Sequence, residues 1–199
     1  SPLFIVVLAL LTAIAPLATD MYLAALPAVA ENLNTTSTNA SLTLSAFMVG
    51  MALGQLVVGP LSDKTGRRKP LLFGVVVCFI ATVACGFSPN IELLIFARFM
   101  MGFTGSIGAV LARSIVTDTT EGLATAKLMG VMMMINGFAP VLAPLFGGWV
   151  LSWGDWRDIF HVLGVVTAVM MLGVVFVVKE TLPVEERYQG TALSVYSEL

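Results

Sequence analysis

The stretch LATDMYLAALP, residues 17–27, sets one carboxylate, Asp20, in a run that carries no other charge from Ser1 to Ala30. A carboxylate at the centre of a membrane span costs about 2.5–3.5 kcal/mol, so such a residue is either tied to a partner or kept for a task such as carrying a proton. A second isolated charge, Arg98, stands in ELLIFARFMMGF (92–103). An opposite charge nearby lowers the pKa of an acid while desolvation raises it, so the two residues together could make an acid whose proton is gained and lost. A permanent Asp20–Arg98 ion pair that merely fixes helix register is the competing reading. A third group is the loop GPLSDKTGRRK, residues 59–69. Gly59 and Pro60 are expected to end a helix, and Gly66 permits a tight turn. Asp63 can cap a helix or bind a guanidinium; Asp118 and Glu121 are candidate partners for Arg67 and Arg68.

The elements that hold these residues follow from composition. Hydrophobic residues make up 58% of the chain and charged ones 11%, with mean hydropathy +0.96. A soluble domain is about a quarter charged, so this is an all-α integral membrane protein. Spans of about 20 apolar residues are predicted over about 3–30, 41–61, 70–88, 91–114, 126–150 and 158–178. The first is too long for a signal peptide and has no basic leader. Lys64, Arg67, Arg68, Lys69, Arg113, Lys127, Lys179 and Arg187 fall on one side of these spans and only Arg157 on the other, so both ends are expected in the cytoplasm. Residues 1–179 form the six-span domain, and the polar text 180–199 reads as the start of a cytoplasmic linker.

Rise per residue places Asp20 about 15 Å and Arg98 about 10 Å below the outer edge, at similar depth. Cys78 and Cys85 are about 10 Å apart along one helix, too far for a disulfide. Net charge −2 gives no basic field for nucleic acid. One histidine, His161, near the outer end of span six, is expected to pack rather than relay protons. There is no Ser/His/Asp arrangement, metal-ligand cluster or phosphate-cradling loop, so no enzyme chemistry, metal or cofactor is read.

The ordered pattern of Gly59, Leu61, Asp63, Gly66, Arg67, Arg68 and Lys69, with Asp118 opposite, resembles the loop signature of the major facilitator superfamily. RFMMG (98–102) is similar to its R-x-x-x-G motif. The resemblance implies twelve helices in two halves with substrate between them, of which this chain covers the N-terminal six. Span five offers Ala139, Ala143, Pro144, Gly147 and Gly148 where antiporters of the superfamily carry G-x-x-x-G-P-x-x-G-G; alanines replace the leading glycines and keep the small-residue spacing. TDMYLAALP (19–27), RSIVTD (113–118) and KETLP (179–183) resemble the Bcr/CflA drug-resistance branch. In that branch the acid aligned with Asp20 is implicated in proton and drug coupling. The acid that some multidrug relatives carry one to two turns earlier has no counterpart around Thr12.

The expected function is therefore drug:H+ antiport across the bacterial cytoplasmic membrane, driven by the proton gradient. Asp20 and Arg98 couple the proton, and Tyr22, Phe47, Met48, Met132, Met133, Met134 and Asn136 are candidate cavity residues, with Gln55 lower in span two. Methionines suit varied lipophilic ligands. The expected partners are the C-terminal half, or a dimer partner that mimics it, the drug and the bilayer. A proton-coupled importer of metabolites or sugars shares fold and loop; a membrane scaffold without transport is the reading from another class.

Overall fold

The computed structural model describes residues 2–187. Seven α-helices and one short 3-10 turn, Val184–Glu186, make up their regular structure: α1 Pro2–Leu23, α2 Leu26–Asn32, α3 Ser37–Thr65, α4 Arg68–Gly86, α5 Ile91–Thr119, α6 Gly122–Trp153 and α7 Trp156–Val177. All but α2 are long and apolar enough to cross a membrane. The part of the linker at 188–199 lies outside the described residues.

Helix starts follow their local chemistry. Thr36 Oγ1 accepts the Asn39 N–H at the start of α3, and Asn90 Oδ1 accepts that of Leu93 at the start of α5. Asp155 and Asp158 form a capping box at α7, which satisfies amide groups that have no partner inside the helix. Residue Arg67 precedes α4 and caps nothing with its side chain.

Two boundaries differ from the sequence expectation. The first span ends at Leu23 rather than near residue 30. The Ala25 N–H turns back to Tyr22 O, and Pro27 opens α2, where its missing N–H costs nothing. Pro60 does not end the second span. It lies inside α3, and the helix continues to Thr65 with Ser62 Oγ donating to Gly59 O. The chain turns instead at Gly66, whose φ of 90° suits a residue without a side chain.

The core is built around α1 and α5. Helix α1 packs on α5, α6 and α7, while α4 packs on α5 and α7. Helices α3 and α5 cross at backbone contact: a Cβ on Gly50 would strike Phe99 O, one on Gly54 would strike Phe103 O, and one on Gly102 would strike Phe47 O. Without a water-driven hydrophobic effect between spans, such close approach is how helices in lipid attract one another. Arg157 clasps three connections at the end opposite the basic loop, donating to Asn32 Oδ1 at 2.7 Å and to Ser88 O at 3.2 Å and pairing with Asp155 at 3.3 Å. Within their most apolar windows, α6 is 17% and α3 28% buried, against 56% for α5; these two helices therefore present the largest open apolar faces.

Candidate functional site

Arg98 is completely buried, seven residues into α5. Its Nη1 donates to the carbonyl oxygen of Ala18 at 3.0 Å. The guanidinium carbon lies 4.5 Å from the ring centre of Tyr22, 4.5 Å from that of Phe47 and 5.7 Å from that of Phe160. Three helices thus supply an aromatic cage, in which ring faces stabilise a desolvated cation by about 2 kcal/mol or more. Among the described residues, Nε and Nη2 have no hydrogen-bond partner. Gly102, one turn further along α5, admits the backbone of Phe47 and so brings its ring to Arg98. This gives the R-x-x-x-G spacing a geometric meaning.

Asp20 does not pair with Arg98. Its side chain is half-buried and has no hydrogen bond or ion pair among the described residues. The cause is rotation about the helix: Ala18, the residue that faces Arg98, precedes Asp20 by two positions, about 200° around an α-helix. The two charges share a depth but not a direction. The turn that carries Asp20 is nevertheless gripped from all sides. Ala18 O is held by Arg98 of α5. Met21 Cα lies against Gly147 of α6. Tyr22 Oη is 2.7 Å from Thr43 Oγ1 of α3, and its ring meets that of Phe160 of α7 at 5.3 Å.

The candidate cavity residues divide. Tyr22 and Phe47 are buried inside the bundle as walls of the Arg98 cage, and Met132 is buried as well. Met133 is 73% exposed, with Met134 and Met48 also open. The Asn136 amide donates to Met132 O at 2.9 Å, leaving its own carbonyl oxygen without a described partner; Gln55 is exposed on α3. An apolar cleft of about 290 Å³ between α3, α4 and α5 is lined by Val57, Leu61, Phe73 and Ile107 and includes none of these candidates. Ala139, Ala143 and Gly147 are buried at four-residue spacing on α6, and Gly147 touches α1, whereas Pro144 and Gly148 face outward. The small-residue stripe is a packing seam against the helix that carries Asp20.

At the basic end, Arg67 Nε binds Asp118 at 3.0 Å and Nη1 binds Asp63 at 2.5 Å and Ser62 Oγ at 2.7 Å. Burial alone would lower its pKa, but the bonds to the two carboxylates outweigh it and hold the guanidinium above its ordinary value. Glu121 takes no part; it precedes α6 without a capping bond. Sequence reasoning missed Glu180, which accepts the N–H groups of Arg67 (2.8 Å), Arg68 (3.3 Å) and Leu182 (3.2 Å) and pairs with Arg187 at 3.6 Å. It supplies from the far end of the chain the cap that α4 lacks. The signal was present in Arg67, which cannot accept a hydrogen bond. Thr181 Oγ1 also donates to Asp118. At the other end, His161 Nδ1 lies 3.1 Å from Asp158 and its ring 5.3 Å from that of Phe87. Among the described residues no group of three or more His, Cys, Asp or Glu is placed to hold a metal.

Comparison with known proteins bears on this arrangement. The profile described as the Major Facilitator Superfamily matches residues 8–195. The chain is 42% identical over 182 residues to an uncharacterized MFS-type transporter, YdgK, of Bacillus subtilis, with 90% of this chain and 45% of the relative covered. It is 30% identical to a bicyclomycin resistance protein homolog of Haemophilus influenzae (93% and 46% covered) and 30% identical to the multidrug resistance protein MdtL of Citrobacter koseri (84% and 43%). The chain spans about half the length of the curated relatives it matches. Among solved structures, a D-xylose-proton symporter superposes with TM-score 0.75 at 15% identity, covering 90% of this chain and 48% of that one. The human organic anion transporter MFSD10 superposes with TM-score 0.74 at 19% identity, over 95% and 50%. At these identities the likeness is one of fold.

Proposed function

Since the chain belongs to the Major Facilitator Superfamily, and is therefore part of a multi-pass membrane transporter, we propose that it is the N-terminal half of a proton-coupled exporter of small lipophilic drugs in the bacterial cytoplasmic membrane, with both of its ends inside. The observation that carries the reading is Asp20: an acid within a span, without a hydrogen bond or ion pair among the described residues, in a turn fixed by four other helices. A carboxylate whose only role was structural would be paired. The relatives named for bicyclomycin and multidrug resistance support the drug as cargo, and the resemblance of Ala139, Ala143, Pro144, Gly147 and Gly148 to the antiporter pattern supports export as direction.

In this mechanism proton and drug compete for one site. Facing inward, Asp20 releases its proton as a drug enters against the open side chains of Met48, Met133 and Asn136; facing outward, the proton returns and the drug leaves. Coupling requires each ligand to bind one state better than the other. Arg98 adds a fixed positive charge that never leaves the bundle. The open apolar faces of α3 and α6 are where the C-terminal half packs, which completes the cavity. The proton gradient is the energy source, with no cofactor.

The test is uptake into inverted vesicles under an imposed proton gradient, with this half joined to its C-terminal half and ethidium and chloramphenicol as probes. Asp20→Asn is expected to abolish gradient-driven uptake while leaving binding intact. Undiminished uptake by the variant would sink the assignment of Asp20 as the coupling acid.

A further inference from the structure

The Asp20 turn is held by a chain of contacts that ends at a residue with no evident part in transport. Thr43 Oγ1 lies 2.5 Å from Ala40 O and 2.7 Å from Tyr22 Oη, wholly buried. A hydroxyl has one proton and a carbonyl only accepts, so Thr43 donates to Ala40 O and the Tyr22 hydroxyl must donate to Thr43. Tyr22 is itself completely buried. Among the described residues its hydroxyl has this one acceptor, and an unmatched buried donor is costly. The ring whose hydroxyl is anchored in this way is one of the two nearest to the Arg98 guanidinium, and Arg98 in turn holds Ala18 O. Ala18 and Tyr22 are one turn apart on α1, with Asp20 between them.

We infer that Thr43 and Tyr22 are positioning residues for the Asp20 carboxyl: their hydroxyl pair fixes the Tyr22 ring over Arg98, and through the Ala18 carbonyl sets the rotation of α1 that aims Asp20 away from Arg98. Its importance for transport rests on the reading of Asp20 as the coupling acid. Loss of the pair frees the ring to seek another acceptor, loosens the cage on one side and lets the turn rotate.

The experiment uses the full-length transporter in proteoliposomes and reads the rate at which dicyclohexylcarbodiimide, an apolar reagent for carboxyl groups, labels Asp20, by mass spectrometry of the peptide that contains it. Thr43→Val and Tyr22→Phe are each expected to change that rate by about three- to tenfold, the worth of one hydrogen bond. The double variant should match the singles rather than multiply them, and Thr43→Ser should restore the wild-type rate. An unchanged labelling rate in Tyr22→Phe, or effects that multiply in the double variant, would overturn the inference. Should Thr43→Val fail to fold, Tyr22→Phe still decides it, because it removes only the hydroxyl and keeps the ring. Labelling that responds as expected, in a protein whose Asp20→Asn form still shows gradient-driven uptake, sinks the coupling reading and leaves the positional link standing.

Discussion

At the scale of single residues, Arg98 separates charge from shape. Its cage of three rings and one carbonyl uses the flat face of the guanidinium and one edge, while Nε and Nη2 find no partner among the described residues. Lysine keeps the charge but offers no plane to stack, so Arg98→Lys loses the ring contacts and still buries a cation. It is expected to destabilise the protein by about 2 kcal/mol, the size of a desolvated cation–π contact. Arg98→Met fills much of the space and removes an unpaired buried charge together with its desolvation cost. Thermal unfolding in detergent should therefore rank Arg98→Met above Arg98→Lys. Both are expected to lower gradient-driven uptake, Arg98→Met because it removes the donor to Ala18 O and Arg98→Lys because it loses the stacking that places that donor. The opposite ranking would mean that an unrecognised anion balances Arg98. Depth along the chain made both charges legible in the sequence, since rise per residue gives height. Direction was not legible: it depends on helix rotation, which neighbours such as Gly147 and Thr43 set.

At the scale of elements, the six spans were readable because each needs its own apolar run. At two boundaries a local signal is overridden. Pro60 looked like a helix end, yet the helix continues with Ser62 bonded to Gly59 O; in lipid the pressure to keep amides inside a helix is high. Apolarity alone carries the first span to residue 30, because 24–30 is as apolar as what precedes it, and apolarity does not reveal a turn. The glycines of the α3–α5 crossing carry a sharper expectation. A Cβ on Gly102 would strike Phe47 O, whereas one on Gly164 in α7 would meet its nearest neighbour, Val83 Cγ2, at 4.0 Å. Gly102→Ala is expected to cost about 1–3 kcal/mol by overpacking and to impair uptake by moving the Phe47 ring from Arg98. Gly164→Ala should be neutral or slightly stabilising. Equal midpoints for the two variants in thermal unfolding would contradict the close crossing.

At the scale of the whole molecule, the basic end ties the first residues after α7 to the turn between α3 and α4. Glu180 caps α4 through the N–H groups of Arg67 and Arg68, and Thr181 shares Asp118 with Arg67. The segment after α7 is thus tied to the start of α4 and to the end of α5. Burial would raise the pKa of Glu180, but the N–H groups of Arg67, Leu182 and Arg68 and the charge of Arg187 outweigh it and hold the carboxyl below its ordinary value of 4.5. A depressed folded-state pKa means that the stabilisation is complete above the ordinary value and is lost as pH falls through the lower, folded one. The cap is therefore fully formed at neutral pH. Glu180→Gln should lower the unfolding midpoint relative to the wild type near pH 7, and the difference should close as pH drops below 4.5. A gap that instead closed between pH 6 and 7 would contradict the depressed pKa of Glu180 and the cap that explains it.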